Sequence, residues 1–172
     1  MIEGYTVHRG VLSTDALEQI FDFLKSLAFT RIERPAMHLS RSLQDDNTRN
    51  EQAQYLIALL KQNGLDALID FNDVSVVRYD AASDYVDWHS DGGPLLEPKT
   101  QMGVLSFGAS RVMEFRRREG NAAEANILLE ANDLIVSRAG FQELYQHRIP
   151  PGGSDELRIS VVLFTHNKQR KK

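Results

Sequence analysis

From Val74 to Thr165 the chain is a series of short β-forming segments broken by Gly, Pro, Asn and Asp, and no other feature constrains its fold as much. The segments are 74–79 (VSVVRY), 84–89, 101–107 (QMGVLSF), 111–117, 125–130 (ANILLE), 133–137, 143–147 and 157–165 (LRISVVLFT). They are rich in β-branched and aromatic residues and are bounded by turn formers, which is how strands of a two-sheet protein read. Such strands pack as a jelly roll, a scaffold that leaves room for a ligand between its sheets.

Two helices are expected ahead of the strands. Across 13–28, Leu17, Ile20, Phe21, Leu24 and Ala28 recur at helical spacing, Ser13, Thr14 and Asp15 offer N-caps, and Glu18 can complete a capping box. Across 50–62, Ala53, Leu56, Ile57 and Leu60 share a face, and Gly64 provides the stop. Between them, RIERPAMHLSRSLQDDNTR is polar and turn-rich and reads as a flap. The expected architecture is mainly β with N-terminal helices: a jelly roll, or double-stranded β-helix, packed against two helices. A chain of 172 residues suits a single domain, with helices and a lid over 1–73, a catalytic core over 74–166 and a basic tail over 167–172.

Composition narrows the chemistry. Cysteine is absent, so disulfides, thiolate metal sites and cysteine nucleophiles are excluded, and any metal must use His, Asp or Glu. The longest apolar runs, such as VVLF at 161–164, are too short to span a bilayer, and MIEGYTVHRG lacks the basic-then-apolar order of a signal peptide. A cytoplasmic monomer is expected. Net charge is −4, yet basic residues cluster: Arg31, Arg34, Arg41 and Arg49; then Arg111 and Arg116, Arg117 and Arg118; then Lys168, Arg170, Lys171 and Lys172. Such clusters either contact phosphates through their local field or solvate a surface.

In YVDWHSDGG, His89 and Asp91 lie two apart where a strand ends, so both can face one side, and Gly92 and Gly93 relieve crowding. A third ligand must come from a later strand, and His147 in QELYQHRIPP is placed for it. Two His and one carboxylate with open coordination positions form the facial triad of non-haem iron(II) oxygenases. A keto acid that chelates such a metal needs a buried cation for its far carboxylate. Arg158 opens the apolar strand RISVVLF, where a guanidinium is costly to bury unless it meets an anion.

The order RYDAASDYVDWHSD, VLSFGASRVMEFRRR, LLEANDLIVSRAGFQELYQHRIPP, RISVVLF resembles the catalytic core of the AlkB-like 2-oxoglutarate and iron(II)-dependent dioxygenases across about 74–166. The resemblance implies that His89, Asp91 and His147 bind Fe(II), that Arg158 pairs with the distal carboxylate of 2-oxoglutarate, and that Tyr79 helps hold this cosubstrate while O2 takes the remaining metal position. Ser160 stands where the family usually has asparagine. Three departures accompany these matches: Val77 replaces an asparagine two residues before the tyrosine, Phe164 replaces a second arginine, and Gly93 replaces an acidic residue that helps read the damaged base.

The resemblance further implies oxidative demethylation of N-alkylated bases in DNA or RNA, as in DNA repair. Arg31, Arg34, Arg41, Arg116, Arg117 and Arg118 are the expected contacts to a single strand or a flipped base. The alternatives are the same oxygenase chemistry on a protein side chain or small metabolite, and a non-catalytic jelly-roll binding module. A zinc hydrolase fits less well, because no evident general base accompanies the triad.

Overall fold

The computed structural model describes residues 2–44, 50–92 and 100–165. Its helices are α1 (Thr14–Ser26), α2 (Glu51–Gln62) and the single-turn α3 (Phe141–Leu144). Its strands are β1 (Tyr5–His8), β2 (Thr30–Arg34), β3 (Met37–Ser42), β4 (Asp73–Tyr79), β5 (Tyr85–His89), β6 (Met102–Gly108), β7 (Arg111–Arg117), β8 (Ala125–Leu129), β9 (Leu134–Ser137), β10 (Tyr145–Ile149) and β11 (Arg158–Phe164).

The helices start where capping chemistry puts them. Ser13 Oγ accepts from the Ala16 amide at 3.2 Å and Asn50 Oδ1 from the Ala53 amide at 3.0 Å, each satisfying an amide left free by a first helical turn. Ala16, Ile20 and Leu24 of α1 and Ala53, Leu56, Ile57 and Leu60 of α2 are buried against the sheet. Phe21 stacks on Phe107 of β6 with ring centroids 6.0 Å apart. Each fully buried leucine in that layer contributes roughly 1.5–3 kcal/mol relative to exposure.

All strand pairs are antiparallel, and the sheet order is β1-β9-β6-β11-β4-β3-β5-β10-β7-β8, with β2 hydrogen-bonded to β3 alone. The sheet curls until its ends meet: Tyr5 of β1 stacks on Phe115 of β7 with centroids 5.3 Å apart. This is the expected mainly β jelly roll. Period-2 alternation divides its faces. In β11, Ile159, Val161 and Leu163 join the core beneath the helices, whereas Ser160, Val162 and Phe164 line the interior cavity. In β4, Val74 and Val76 take the helix side, and Ser75, Val77 and Tyr79 the cavity side.

Two segments differ from the sequence reading. Residues 30–42 form a hairpin whose second strand is inserted between β4 and β5, although RIERPAMHLSRS reads as a polar flap; its strand character comes from pairing rather than from its own apolar pattern. The strand expected over 143–147 begins at Tyr145, runs on to Ile149 and is preceded by the turn of α3. Gly140, at φ 81, starts that turn in a conformation costly for other residues.

Candidate active site

The centre of the site is a pair of facing strands. His89 closes β5 and His147 lies opposite it on β10, in direct register. Asp91, two residues past the end of β5, brings its carboxylate between them: Oδ2 is 3.2 Å from His147 Nε2 and Oδ1 is 3.6 Å from His89 Nε2. The three donor atoms lie within 4.8 Å of one another.

Backbone and side-chain contacts fix this arrangement. His89 Nδ1 lies 2.8 Å from the Asp87 carbonyl, an acceptor only, so Nδ1 carries the proton and Nε2 offers its lone pair. The Asp91 amide donates to Gln142 Oε1 at 3.0 Å, and Ser90 Oγ donates to the Tyr145 carbonyl at 2.7 Å, tying the ligand loop to the α3–β10 segment. Burial alone would raise the Asp91 pKa, but the charge and hydrogen bond of His147 and the charge of His89 outweigh it and bring it to about 2. Burial and the neighbouring His147 hold His89 below its ordinary value, in the neutral form a metal needs. Two imidazoles that present Nε2 and one ionised carboxylate suit a divalent first-row cation such as iron(II).

A cavity of about 410 Å³ opens onto this centre. His89, Asp91, His147, Tyr79 and Ser160 all line it, together with Leu39, Arg41, Met102, Val104 and Met113. Val77 and Phe164, which stand where the AlkB-like pattern has asparagine and arginine, line it as well. Arg158 is not among the lining residues. It is buried in register with Tyr79, its Nη1 donates to the carbonyls of Ala109 (3.3 Å) and Leu129 (3.4 Å), and its Nη2 donates to Ser106 Oγ (3.0 Å). Its Nε has no hydrogen-bond partner. Desolvation lowers the Arg158 pKa to about 10, and burial raises that of Tyr79 to about 12 against the opposing charges of Arg158 and Arg111. Gly93, Arg49 and His166 lie outside the described residues.

The other arginines divide by what they already hold. Arg31 grips Asp84 with both Nη atoms, at 2.9 and 2.7 Å. Arg111 is buried, with Nη2 donating to the carbonyls of Asp84 (2.6 Å) and Pro150 (2.7 Å). Arg116 bonds Gln146 Oε1 and lies over the Trp88 ring at 4.4 Å; Arg148 lies over that ring too, at 4.6 Å. Arg34 and Arg118 are exposed, and Arg117, also exposed, pairs with Glu124 at 3.6 Å. Sequence reasoning missed Gln142, a loop glutamine with no motif around it, and placed Arg41 on a lid rather than inside the cavity.

The Arg31–Asp84 pair carries a stability prediction. Burial pushes Asp84 up, but hydrogen bonds from Arg31 and from the Asp80 and Ala81 amides pull its pKa below the ordinary 3.8. Because the folded pKa is depressed, this stabilisation is present above the unfolded value and is lost as pH falls through the folded one. Arg31→Ala is expected to cost about 2 kcal/mol at neutral pH, discounted for the half-exposed guanidinium. Urea unfolding should show the gap between wild type and variant narrowing as pH falls below the ordinary carboxylate value of 3.8 and closing once it passes the depressed folded one.

The profile of the 2OG-Fe(II) oxygenase superfamily matches residues 8–170. Alpha-ketoglutarate-dependent dioxygenase alkB homolog 3 of Homo sapiens is 34% identical over 104 residues, covering 55% of this chain and 36% of that protein. DNA oxidative demethylase ALKBH2 of Arabidopsis thaliana is 25% identical over 115 residues, covering 54% of this chain and 37% of that one. The chain thus spans little more than a third of the length of these relatives. Among solved structures, OsALKBH1 superposes with a TM-score of 0.63 at 14% identity, covering 95% of this chain and 99% of that one. A 2OG-Fe(II) oxygenase-family oxidoreductase from Burkholderia pseudomallei gives a TM-score of 0.67 at 12% identity, covering 94% and 84%. At those identities the likeness speaks for the fold. Among the described residues no helix is long and apolar enough to cross a membrane. With the His-Asp-His centre placed inside this fold, the chain belongs to the 2OG-Fe(II) oxygenase superfamily as an AlkB-like member, an enzyme class that works with iron(II), 2-oxoglutarate and dioxygen.

Proposed function

We propose that this enzyme removes N-alkyl groups from nucleobases in DNA or RNA by oxidation. The observation that carries the reading is the His89-Asp91-His147 centre at the wall of a cavity of about 410 Å³, in a chain akin to alkB homolog 3 and to a DNA oxidative demethylase. That volume lies within the range of small-molecule sites and has room for a keto acid with part of a base beside it. Bound at the triad, iron(II) with 2-oxoglutarate lets dioxygen oxidise an unactivated C–H bond while the keto acid is spent to succinate and carbon dioxide.

The chain's own residues supply position and dryness. Gln142 and the Tyr145 carbonyl hold the Asp91 loop, and the Asp87 carbonyl sets the His89 tautomer. Tyr79 and Arg158 would hold the distal carboxylate of 2-oxoglutarate, with Ser160 beside them. Leu39, Met102, Val104 and Met113 give the cavity apolar walls that exclude water from the reacting group. Exposed Arg34 and Arg118 would meet the phosphate backbone, whereas Arg31 already holds Asp84 and Arg117 pairs with Glu124, which makes them weaker candidates. Residues 1–73 would supply the N-terminal helices together with the substrate lid, and the protein would act as a cytoplasmic monomer.

An N-methyl group hydroxylated on its carbon leaves as formaldehyde, so product analysis tests the reading directly. Incubation with iron(II), 2-oxoglutarate and N-methylated single-stranded DNA or RNA should release formaldehyde in step with succinate, and unmethylated strands should not. Succinate formation that methylated strands fail to stimulate, but that a methylated peptide or small metabolite does stimulate, would assign the same chemistry to another substrate. The arginine pairing just described already makes that second reading specific, because three expected phosphate contacts, Arg31, Arg116 and Arg117, are engaged within the protein.

A further inference from the structure

Two positions in the cavity wall that would carry polar groups under the AlkB-like pattern are apolar here, Val77 and Phe164. The wall nevertheless contains a cation. Arg41 on β3 is the only Lys or Arg among the described lining residues. It stands directly opposite Val77 across the β3–β4 ladder, and Val77 stands opposite Ser160 across β4–β11, so the three form one row. Partners in antiparallel register share a face of the sheet, which places Arg41 beside the missing asparagine. Its Nε is buried and has no hydrogen-bond partner, a costly condition for a guanidinium unless a ligand completes it. It lines the same cavity as Tyr79, His89 and Asp91.

We propose that Arg41 binds the metal-side carboxylate of 2-oxoglutarate, supplying from β3 the contact that Val77 and Phe164 cannot make. The proposal rests on the oxygenase reading of the site and adds to it a cosubstrate-positioning residue. The ligand is a dicarboxylate whose distal end is assigned to Tyr79 and Arg158. Its other carboxylate, flanking the keto group, would be the one on the metal side, and a guanidinium suits it through paired hydrogen bonds. The same geometry explains why a strand so polar as MHLSRS occupies the middle of the sheet: Leu39 and Arg41 face the cavity.

The test is ligand binding to the 172-residue chain loaded with manganese(II), measured by calorimetry without turnover. Three ligands separate the two ends: 2-oxoglutarate, 2-oxobutanoate, which keeps only the metal-side carboxylate, and 4-oxopentanoate, which keeps only the distal one. Arg41→Ala should weaken the first two by roughly ten- to hundredfold and leave the third unchanged. Arg41→Lys should recover part of the loss, and manganese affinity should stay at the wild-type level in both variants. Unchanged 2-oxoglutarate binding in Arg41→Ala, or an equal loss for all three ligands, would overturn the assignment. If the wild type itself binds manganese but no 2-oxoglutarate, the cosubstrate reading fails first and the role of Arg41 with it. Circular dichroism and the manganese affinity identify a variant that has lost its fold, in which case the milder Arg41→Gln, subject to the same three-ligand comparison, decides.

Discussion

Asp91→Ala is expected to abolish iron(II)-dependent conversion of 2-oxoglutarate to succinate, a loss on the order of a hundredfold or more, since even residues that merely orient a metal ligand are worth 10–100-fold. Among the described residues Asp91 is the only carboxylate of the centre, and its pKa of about 2 keeps it ionised through the working range despite burial. Without it, His89 and His147 remain as imidazole donors, and the charge that favours a divalent cation over a water-filled gap is gone. Asp91→Asn keeps the shape and removes the charge, so it separates the two contributions. Equilibrium dialysis with iron(II) under anaerobic conditions, alongside succinate assay, reads both. Retained iron affinity in Asp91→Ala would move the metal elsewhere.

Arg158→Met should weaken 2-oxoglutarate binding roughly 10- to 100-fold while changing stability little. Burial lowers the Arg158 pKa from 12.5 to about 10, which corresponds to roughly 3 kcal/mol of unfavourable desolvation carried by the folded state. Methionine removes that cost and fills similar space. Against it stand three lost hydrogen bonds, to Ser106, Ala109 and Leu129, two of them long at 3.3 and 3.4 Å. These effects nearly offset, as they often do when a buried charge is replaced by a hydrophobe. A small change in melting temperature together with a large loss of affinity is the expected signature of a cation retained for its ligand. A large drop in melting temperature with normal affinity would make Arg158 a structural strut.

The elements legible in the sequence are those whose pattern and packing agree. The α1 and α2 stripes, their Ser13 and Asn50 caps, and the alternating segments β4 and β11 all reflect faces buried on the helix layer. The hairpin of β2 and β3 was illegible because Ser40 and Ser42 are buried polar residues and Arg41 faces a cavity, so neither face presents the apolar alternation by which strands are read. β1 has four residues and gains its place from pairing with β9. At the site, His89, Asp91 and His147 were visible because strand ends and turn residues mark them, and the structure brings them together. The depth of Arg158 behind Tyr79, and the position of Arg41 beside Val77, depend on register between distant strands, which no local window contains.

Trp88 gives the protein an optical consequence. It is the chain's one tryptophan, adjacent to His89 on β5, and the guanidinium groups of Arg116 and Arg148 both lie against its ring. Both arginines belong to the strands that flank or contain His147, since Arg116 is on β7 and Arg148 on β10. Metal binding at His89 and His147 acts on the strands that carry this indole and its two arginines, so titration with manganese(II) is expected to change its emission. Its fluorescence is therefore an intrinsic reporter, with no label required, on the outer surface of the same two strands that hold the reacting centre.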